Sequence, residues 1–435
     1  MERGFGWTWR KLVLASAKAT LFLFAFVCKQ AQLSDGLLID TMQPNVADTY
    51  TSELPGKPRQ YLYPMLIFGP NNQLTGLKEM LVLGRLMSRT VIVPDIKISH
   101  PLDASSENDN RNIKDFLEFD TAYDYTLTAS RRDVVTLAER LMAGWNGSVD
   151  AVVYYTQHWL PYWKENLSLN VSVSNATWLN YGSEHTVCTE AGIANLTELI
   201  KPYNTVGFIM FKNLVWDAGY GVIPGLGRPD MCRNEYTKVS GDIAKSAKTK
   251  EIARAFREKS IGGDSGGRYM AVHIRPYPDT CMALWRRSVG GVLPPDEANK
   301  DCHNPSLMSV FINQTLVAME RFKVSSTVFI MCHPGIRTMV AGLYGAAGIT
   351  PLFYDDVDGL VNEFGFSCPS LLGMVEQELA NQADVFLATK ASSMSGIVVE
   401  ERYAVNTPGQ ITIFFVGDHK QLPPAVDLAL PGQIA

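Results

Sequence analysis

The sequence predicts an α/β protein in two halves, each built on a mostly parallel sheet covered by helices. A strand–turn–helix–strand unit opens at Tyr61. A glycine-rich stretch, SIGGDSGG, interrupts the chain from Ser260, and strands alternate with helical patterns from there to Val416. With 435 residues, 46% of them hydrophobic and 19% charged, the chain can bury the cores that two such halves need.

The opening unit reads YLYPMLIFGPNNQLTGLKEMLVLGRLMSRTVIVPD. Tyr61 to Phe68 is an apolar, strand-like run, and Gly69-Pro70-Asn71-Asn72 is turn chemistry. Leu74, Leu77 and Leu81 recur at helical spacing, and Thr90 to Val93 is a buried-strand run. Its two strands should therefore lie parallel, joined by a right-handed crossover. The middle, Lys97 to Tyr236, holds a polar SSENDNRN loop and an aromatic HWLPYW run, and only one strand, Thr205 to Met210, stands out. Past the glycines, RYMAVHIR is a strand ending in charge. Further strands are expected at Thr327 to Met331, Thr350 to Phe353, Val385 to Ala388 and Ile411 to Val416, with a helix near Ser370 burying Leu372, Val375 and Leu379. Read as a hinge, the glycines separate an N-terminal domain at 61–258 from a C-terminal one at 268–435.

The first thirty-odd residues obey a different logic. Arg3, Arg10 and Lys11 precede an apolar run from Leu12 to Cys28 that Lys18 interrupts. Basic residues ahead of an apolar segment favour a cytoplasmic N-terminus, so the chain beyond about Ala31 should face a lumen or the exterior. Residues 1–31 are thus expected to be a tail and signal anchor, or a signal peptide, and 32–60 a stem. This topology makes a single-pass type II membrane protein of the ER or Golgi the expectation. The C-terminal ALPGQIA does not resemble an ER-retrieval tetrapeptide, which leans towards the Golgi. Six Asn-x-Ser/Thr sequons fit such a compartment, at Asn146, Asn166, Asn170, Asn175, Asn195 and Asn313. Cys188, Cys232, Cys281, Cys302, Cys332 and Cys368 would allow three disulfides there. None forms a Cys-x-x-Cys pair or a zinc-spaced His/Cys cluster, so no metal site is expected on them. The net charge of −5, with no basic patch interleaved with aromatics, argues against a nucleic-acid partner.

Three ordered motifs carry a family resemblance: the GPNNQLTG turn with its RTVIVPD strand, VHIRPYPDTC, and QADVFLATKASSMSGIVVEER. Together they resemble the GDP-fucose protein O-fucosyltransferases, most closely the branch that modifies EGF-like repeats. The resemblance implies a GT-B fold, two Rossmann-like domains facing across a cleft with the nucleotide sugar held mainly by the C-terminal one. It also implies inverting, metal-independent transfer of fucose from GDP-fucose to a Ser/Thr hydroxyl of a protein. EGF-like or thrombospondin-like domains are the candidate acceptors. No cofactor is required. Two other readings remain open, a fucosyltransferase acting on a glycan or polysaccharide and a non-catalytic lumenal relative.

The site residues follow from the motifs. Departure of the β-phosphate builds charge that a fixed arginine stabilises, and the resemblance gives that role to Arg275, which otherwise reads as a surface arginine paired with Asp279. His273 precedes it on the strand, as in the family's His-x-Arg. Ser393, Met394 and Ser395 lie between a strand and a helix, where free backbone N–H groups favour phosphate; the resemblance assigns them to the nucleotide sugar. Met394 stands where the family usually has phenylalanine. Asn72 matches an asparagine near the reacting centre, and Gly69 matches the turn before it more loosely. Glu376 matches a carboxylate that can recognise guanine, or is a solvated helix residue. The general base stays open between a carboxylate of the middle region, Asn72 acting through water, and Asp279.

Two segments mimic other chemistries. Gly263-Asp264-Ser265-Gly266-Gly267 copies the surroundings of a serine-protease nucleophile, without a histidine in an Ala-His-Cys setting. Asp355-Asp356-Val357-Asp358 resembles a manganese-binding Asp-x-Asp, yet follows the arginine motif, and is read as an acidic loop.

Overall fold

The computed structural model describes residues 59–67, 69–97, 116–117, 123–125, 134–154, 167–181, 187–210, 231–262, 268–275, 305–332, 336–365, 369–389 and 392–415. The expected N-terminal anchor, the expected stem up to residue 58, the GDSGG segment and Asp279 lie outside them. Among the described residues no helix is long and apolar enough to cross a membrane.

Two parallel sheets organise the molecule. The first contains β1 (Tyr61–Leu66), β2 (Thr90–Val93), β6 (Val134–Thr136), β7 (Ala151–Tyr154), β8 (Thr177–Asn180) and β9 (Thr205–Met210). Their order across the sheet is β6-β2-β1-β9-β7-β8, and every neighbouring pair is parallel. The second holds β11 (Met270–His273), β12 (Thr327–Met331), β13 (Thr350–Leu352), β14 (Val385–Ala388) and β15 (Ile411–Phe414) in the order β13-β12-β11-β14-β15, again all parallel. Numbered within its own half this is 3-2-1-4-5, the doubly wound order, in which the topology reverses between β11 and β14. Two antiparallel pairs stand outside the sheets: β3 (Ile96–Lys97) with β4 (Phe116–Leu117), and β5 (Tyr123–Tyr125) with β10 (Ile243–Lys245).

Helix α1 (Pro70–Met87) begins one residue after Gly69, so Pro70, Asn71 and Asn72 form its first turn rather than the loop the sequence suggested. The reason is that Pro70 sits at N1, where its fixed φ suits a helix and its missing N–H costs nothing. Gln73 and Lys97 then exchange side-chain and backbone bonds at 2.9 and 3.0 Å, fixing β3 to the helix. The middle of the chain supplies α2 (Leu137–Met142) behind a Thr136 capping box, and α3 (Glu190–Ile200), whose last carbonyls take Arg89 Nη2 at 2.8 Å.

Helices α4 (Met231–Asp242) and α5 (Ala247–Arg257) precede a π-helical turn at Glu258–Gly262. The second half adds α6 (Pro305–Phe322), α7 (Arg337–Ala346), α8 (Val357–Phe364), α9 (Pro369–Gln382) and α10 (Ser393–Val405). Although α5 lies before the glycines, it packs on α9 and α8; α4 packs on both α1 and α10. One continuous core therefore runs from Leu62 and Val206 in the first sheet to Phe329 and Phe386 in the second.

Buried polar bonds join the halves inside that core. Lys78 on α1 donates to Glu400 on α10 at 3.1 Å, with side-chain exposures of 0 and 2%, and the Tyr236 hydroxyl of α4 donates to the same oxygen at 3.0 Å. Lys245 pairs with Glu401. Arg402 turns back to the carbonyls of Ala380, Asn381 and Ala383, closing the C-terminus of α9, while its Nε reaches Thr412 on β15 at 2.9 Å. Cys188 and Cys232 form a disulfide between the entry to α3 and α4. Cys332 is a buried free thiol among the described residues, and Cys281, Cys302 and Cys368 lie outside them. Asp356 is the N-cap of α8, its Oδ1 accepting from Gly359 N at 2.9 Å, which accounts for the Asp-x-Asp segment as helix capping.

Candidate active site

Open parallel sheets bind ligands beyond the carboxyl ends of their strands, where the topology reverses. In the second sheet that point lies between β11 and β14, and the second and third motifs converge there. His273 ends β11. Its Nδ1 lies 2.6 Å from Ser395 Oγ, which accepts from Thr389 N at 3.0 Å. A hydroxyl both donates and accepts, so this bond holds the imidazole in either neutral tautomer. Thr389 Oγ1 donates to the His273 carbonyl and accepts from Arg275 N at 3.3 Å. One short lattice of bonds thus fixes the two strand ends and the first turn of α10 against each other.

Burial, reinforced by the nearby Arg275 charge, pushes the His273 pKa down to about 3. The imidazole is therefore neutral at physiological pH, a hydrogen-bonding and positioning group rather than a proton carrier. Arg275 itself is half-buried at the strand end. At the start of α10, Ser392 makes no side-chain cap bond, and helix geometry leaves the first-turn N–H groups of Ser393, Met394 and Ser395 without intrahelical acceptors. Their dipoles point to the same strand ends that carry Arg275, an arrangement suited to an anion.

The first motif arrives from the other sheet. Asn71, in the opening turn of α1, accepts from Gln377 Nε2 of α9 at 2.8 Å. Met394 lies over Gly373, one helical turn before Gln377 on α9. The same face of α9 therefore receives the first turns of both α1 and α10. Gly69 is buried as the extended N-cap of α1, and Asn72 Oδ1 is buried with no donor among the described residues.

Glu376 does not occupy the solvated position that helical spacing allowed. It is buried, and Arg337 at the start of α7 donates to it at 2.8 Å while also reaching the Tyr354 carbonyl at 3.0 Å. Burial outweighs that attraction and pushes its pKa up to about 7. A carboxyl raised from 4.5 makes its stabilising contribution in full below pH 4.5, and loses it as pH rises through 7. Glu376→Gln is accordingly expected to flatten the pH dependence of unfolding free energy between about 4.5 and 7, checked by urea titrations across that range. An unchanged slope would assign it to other groups. His273 acts with the opposite sign: its contribution is present above 6.5 and lost as pH falls towards 3.

Sequence reasoning missed Thr389, Arg337 and Gln377. The only signal for Thr389 was its place at the end of the VFLA strand. Nothing local marks the other two.

No protein-family model matches the chain, and no curated protein matches it by sequence. Solved structures do. A crystal structure of POFUT1 in complex with GDP-fucose aligns with a TM-score of 0.53 at 13% identity, covering 83% of this chain and 99% of that one. The chain has the fold of POFUT1. A POFUT1 complex with GDP gives 0.52 at 15% identity over 82% and 99% of the two chains, and an apo form of POFUT1 gives 0.52 at 14% over 83% and 99%. POFUT1 is a GDP-fucose protein O-fucosyltransferase, the family to which the three sequence motifs point. At these identities the likeness to POFUT1 is one of fold.

Proposed function

We propose that the protein is an inverting fucosyltransferase that uses GDP-fucose and acts on a Ser/Thr hydroxyl of a protein in the ER or Golgi lumen. The observation that carries the donor half is the bonded lattice of His273, Thr389 and Ser395. It holds Arg275 and the open N-terminus of α10 at the topological switch point of the second sheet. In this reading the GDP diphosphate lies on the first-turn N–H groups of α10. Arg275 contacts the β-phosphate oxygen, and the neutral His273 lies beside the donor as a hydrogen-bonding group. The acceptor oxygen attacks C1 of fucose from the face opposite the phosphate, the C1–O bond breaks, and GDP leaves with the bonding pair. Charge grows on the leaving oxygen, where a preorganised cation is most effective.

Asn72 contributes a side-chain carbonyl that can accept from a sugar or acceptor hydroxyl. Met394 gives the donor an apolar contact in place of a stacked ring. Glu376 reaches guanine only if its pairing with Arg337 changes. Asp279 remains a candidate to orient Arg275 or to take the acceptor proton. The acceptor assignment, to EGF-like or thrombospondin-like domains, rests on the motif resemblance, as do metal independence and the two-domain cleft; the N-terminal anchor rests on the basic residues ahead of the apolar Leu12–Cys28 run.

Calorimetric titration with GDP and with GDP-fucose is expected to give 1:1 binding to both; no heat from either would remove the donor reading. Transfer of fucose to folded EGF-like or thrombospondin-like repeats should then proceed equally with and without EDTA. Transfer only to free oligosaccharides would move the acceptor to a glycan, and loss of transfer in EDTA would make the enzyme metal-dependent.

A further inference from the structure

Three of the sequons that cluster between Asn146 and Asn195 are also neighbours in the fold. Asn146 and Asn170 are drawn together by a short parallel pairing ahead of β7 and β8. Ser148 bridges Ser172, Val149 N donates to Ser172 O at 3.0 Å, and Ser172 N donates to Gly147 O at 2.9 Å. Gly147 permits this approach: its φ is +79°, and a Cβ there would stand 1.9 Å from the Asn170 carbonyl oxygen. Asn175 follows in the turn that leads into β8, where Ala176 N reaches Val173 O at 3.1 Å. All three asparagines are exposed. The Asn146 side-chain oxygen accepts from Ser148 N at 3.0 Å, so its amide nitrogen does not take part in that bond.

Exposed apolar side chains lie close to these asparagines along the chain. Met142 is 80% exposed, Leu169 47% and Trp178 40%, and they lie four, one and three residues from Asn146, Asn170 and Asn175. Trp178 also belongs to β8, an edge strand whose outer side has no neighbour among the described strands. Exposed apolar groups beside a sheet edge are an aggregation hazard unless something covers them.

The cluster sits at the amino ends of β7 and β8. Asn72 follows the carboxyl end of β1, which runs parallel to them in the same sheet. A six-residue strand is about 20 Å long, so bulky groups on the cluster would stay clear of the donor site.

We infer that Asn146, Asn170 and Asn175 form one N-glycosylated face that covers the exposed side chains of Met142, Leu169 and Trp178 and the β8 edge. The inference rests on the lumenal placement proposed above. In each case the bond formed joins the asparagine Nδ2 to C1 of an oligosaccharide supplied on a polyprenyl diphosphate. The C1–O bond to the diphosphate breaks, the lipid diphosphate leaves with the bonding pair, and the amide gives up one proton.

The test is expression of the full chain in secreting eukaryotic cells, followed by peptide N-glycosidase digestion in ¹⁸O-water and mass spectrometry. Each of Asn146, Asn170 and Asn175 should be recovered as ¹⁸O-labelled aspartate, and N146Q, N170Q and N175Q should each remove one step of the mobility shift. Asn195 on α3 and Asn313 on α6 are also exposed and serve as topology reporters. Label at either reporter with none at the cluster would overturn the inference and leave lumenal placement standing. No label at any of the five would overturn both. The triple variant N146Q/N170Q/N175Q should secrete several-fold less and enrich the aggregated fraction, while the recovered monomer binds GDP as the unsubstituted chain does. Undiminished secretion of unaggregated triple variant would overturn the covering role.

Discussion

Arg275→Ala is expected to lower fucosyl transfer by about 10²–10³-fold, the cost of removing one preorganised charge from a developing oxyanion. Single-turnover rates at saturating GDP-fucose read this directly. Thermal stability should change little, because the side chain is half-buried beyond the end of β11 and the Thr389 bond is made by the Arg275 backbone N–H. Arg275→Lys keeps the charge but loses the planar fork, and should fall between the two. If the alanine variant turned over normally, Arg275 would have no part in leaving-group departure. An equal loss from a variant that no longer folds would say nothing, so unfolding curves for both proteins belong to the same experiment.

Glu400→Gln should have the largest effect on stability. It preserves an acceptor for Tyr236 and removes the charge that faces Lys78, leaving an ammonium in the core. Stranding one member of a buried pair costs about 3–5 kcal/mol. Burial raises the Glu400 pKa and the Lys78 charge opposes that shift, which is the balance the substitution destroys. Lys78→Met in the same chain removes the stranded charge, so the double variant should be more stable than Glu400→Gln alone. Urea unfolding of the four proteins of this cycle tests it; additivity of the two single changes would mean that the pair is not coupled. Because α1 and α10 both carry site residues in their first turns, the single variants should also bind GDP more weakly.

Where the chemistry is local, the sequence discloses it. The ends of β11 and β14 were readable because each is a short apolar run that stops abruptly at a charged or small polar residue; the switch point between them comes from the strand order, which the structure supplies. The Lys78–Glu400 and Asn71–Gln377 contacts were not readable, since they join residues 322 and 306 positions apart. Lys78 gave a partial sign, an ammonium inside the Leu74–Leu77–Leu81 stripe. Glu376 misled for a different reason. A helix with one wet face hides its polar residues from the core, but α9 packs on α5, α10 and the strands beneath it, so both of its faces are buried. The middle region resisted reading because its described strands are only two to four residues long outside β9, too short for periodicity to separate them from loops.

The Cys188–Cys232 bridge has a practical bearing on all of these measurements. It spans 44 residues and ties α4, which packs on both α1 and α10, to the entry of α3. Closing a loop of that size removes chain entropy from the unfolded state worth ~4 kcal/mol. Protein made in a reducing bacterial cytosol would begin without that contribution, leaving α4 to packing and to polar contacts that include those of Glu235, Tyr236 and Asp242. Host and redox buffer are therefore experimental variables: material from an oxidising host, with the bridge verified by thiol counting, is the proper reference for every variant.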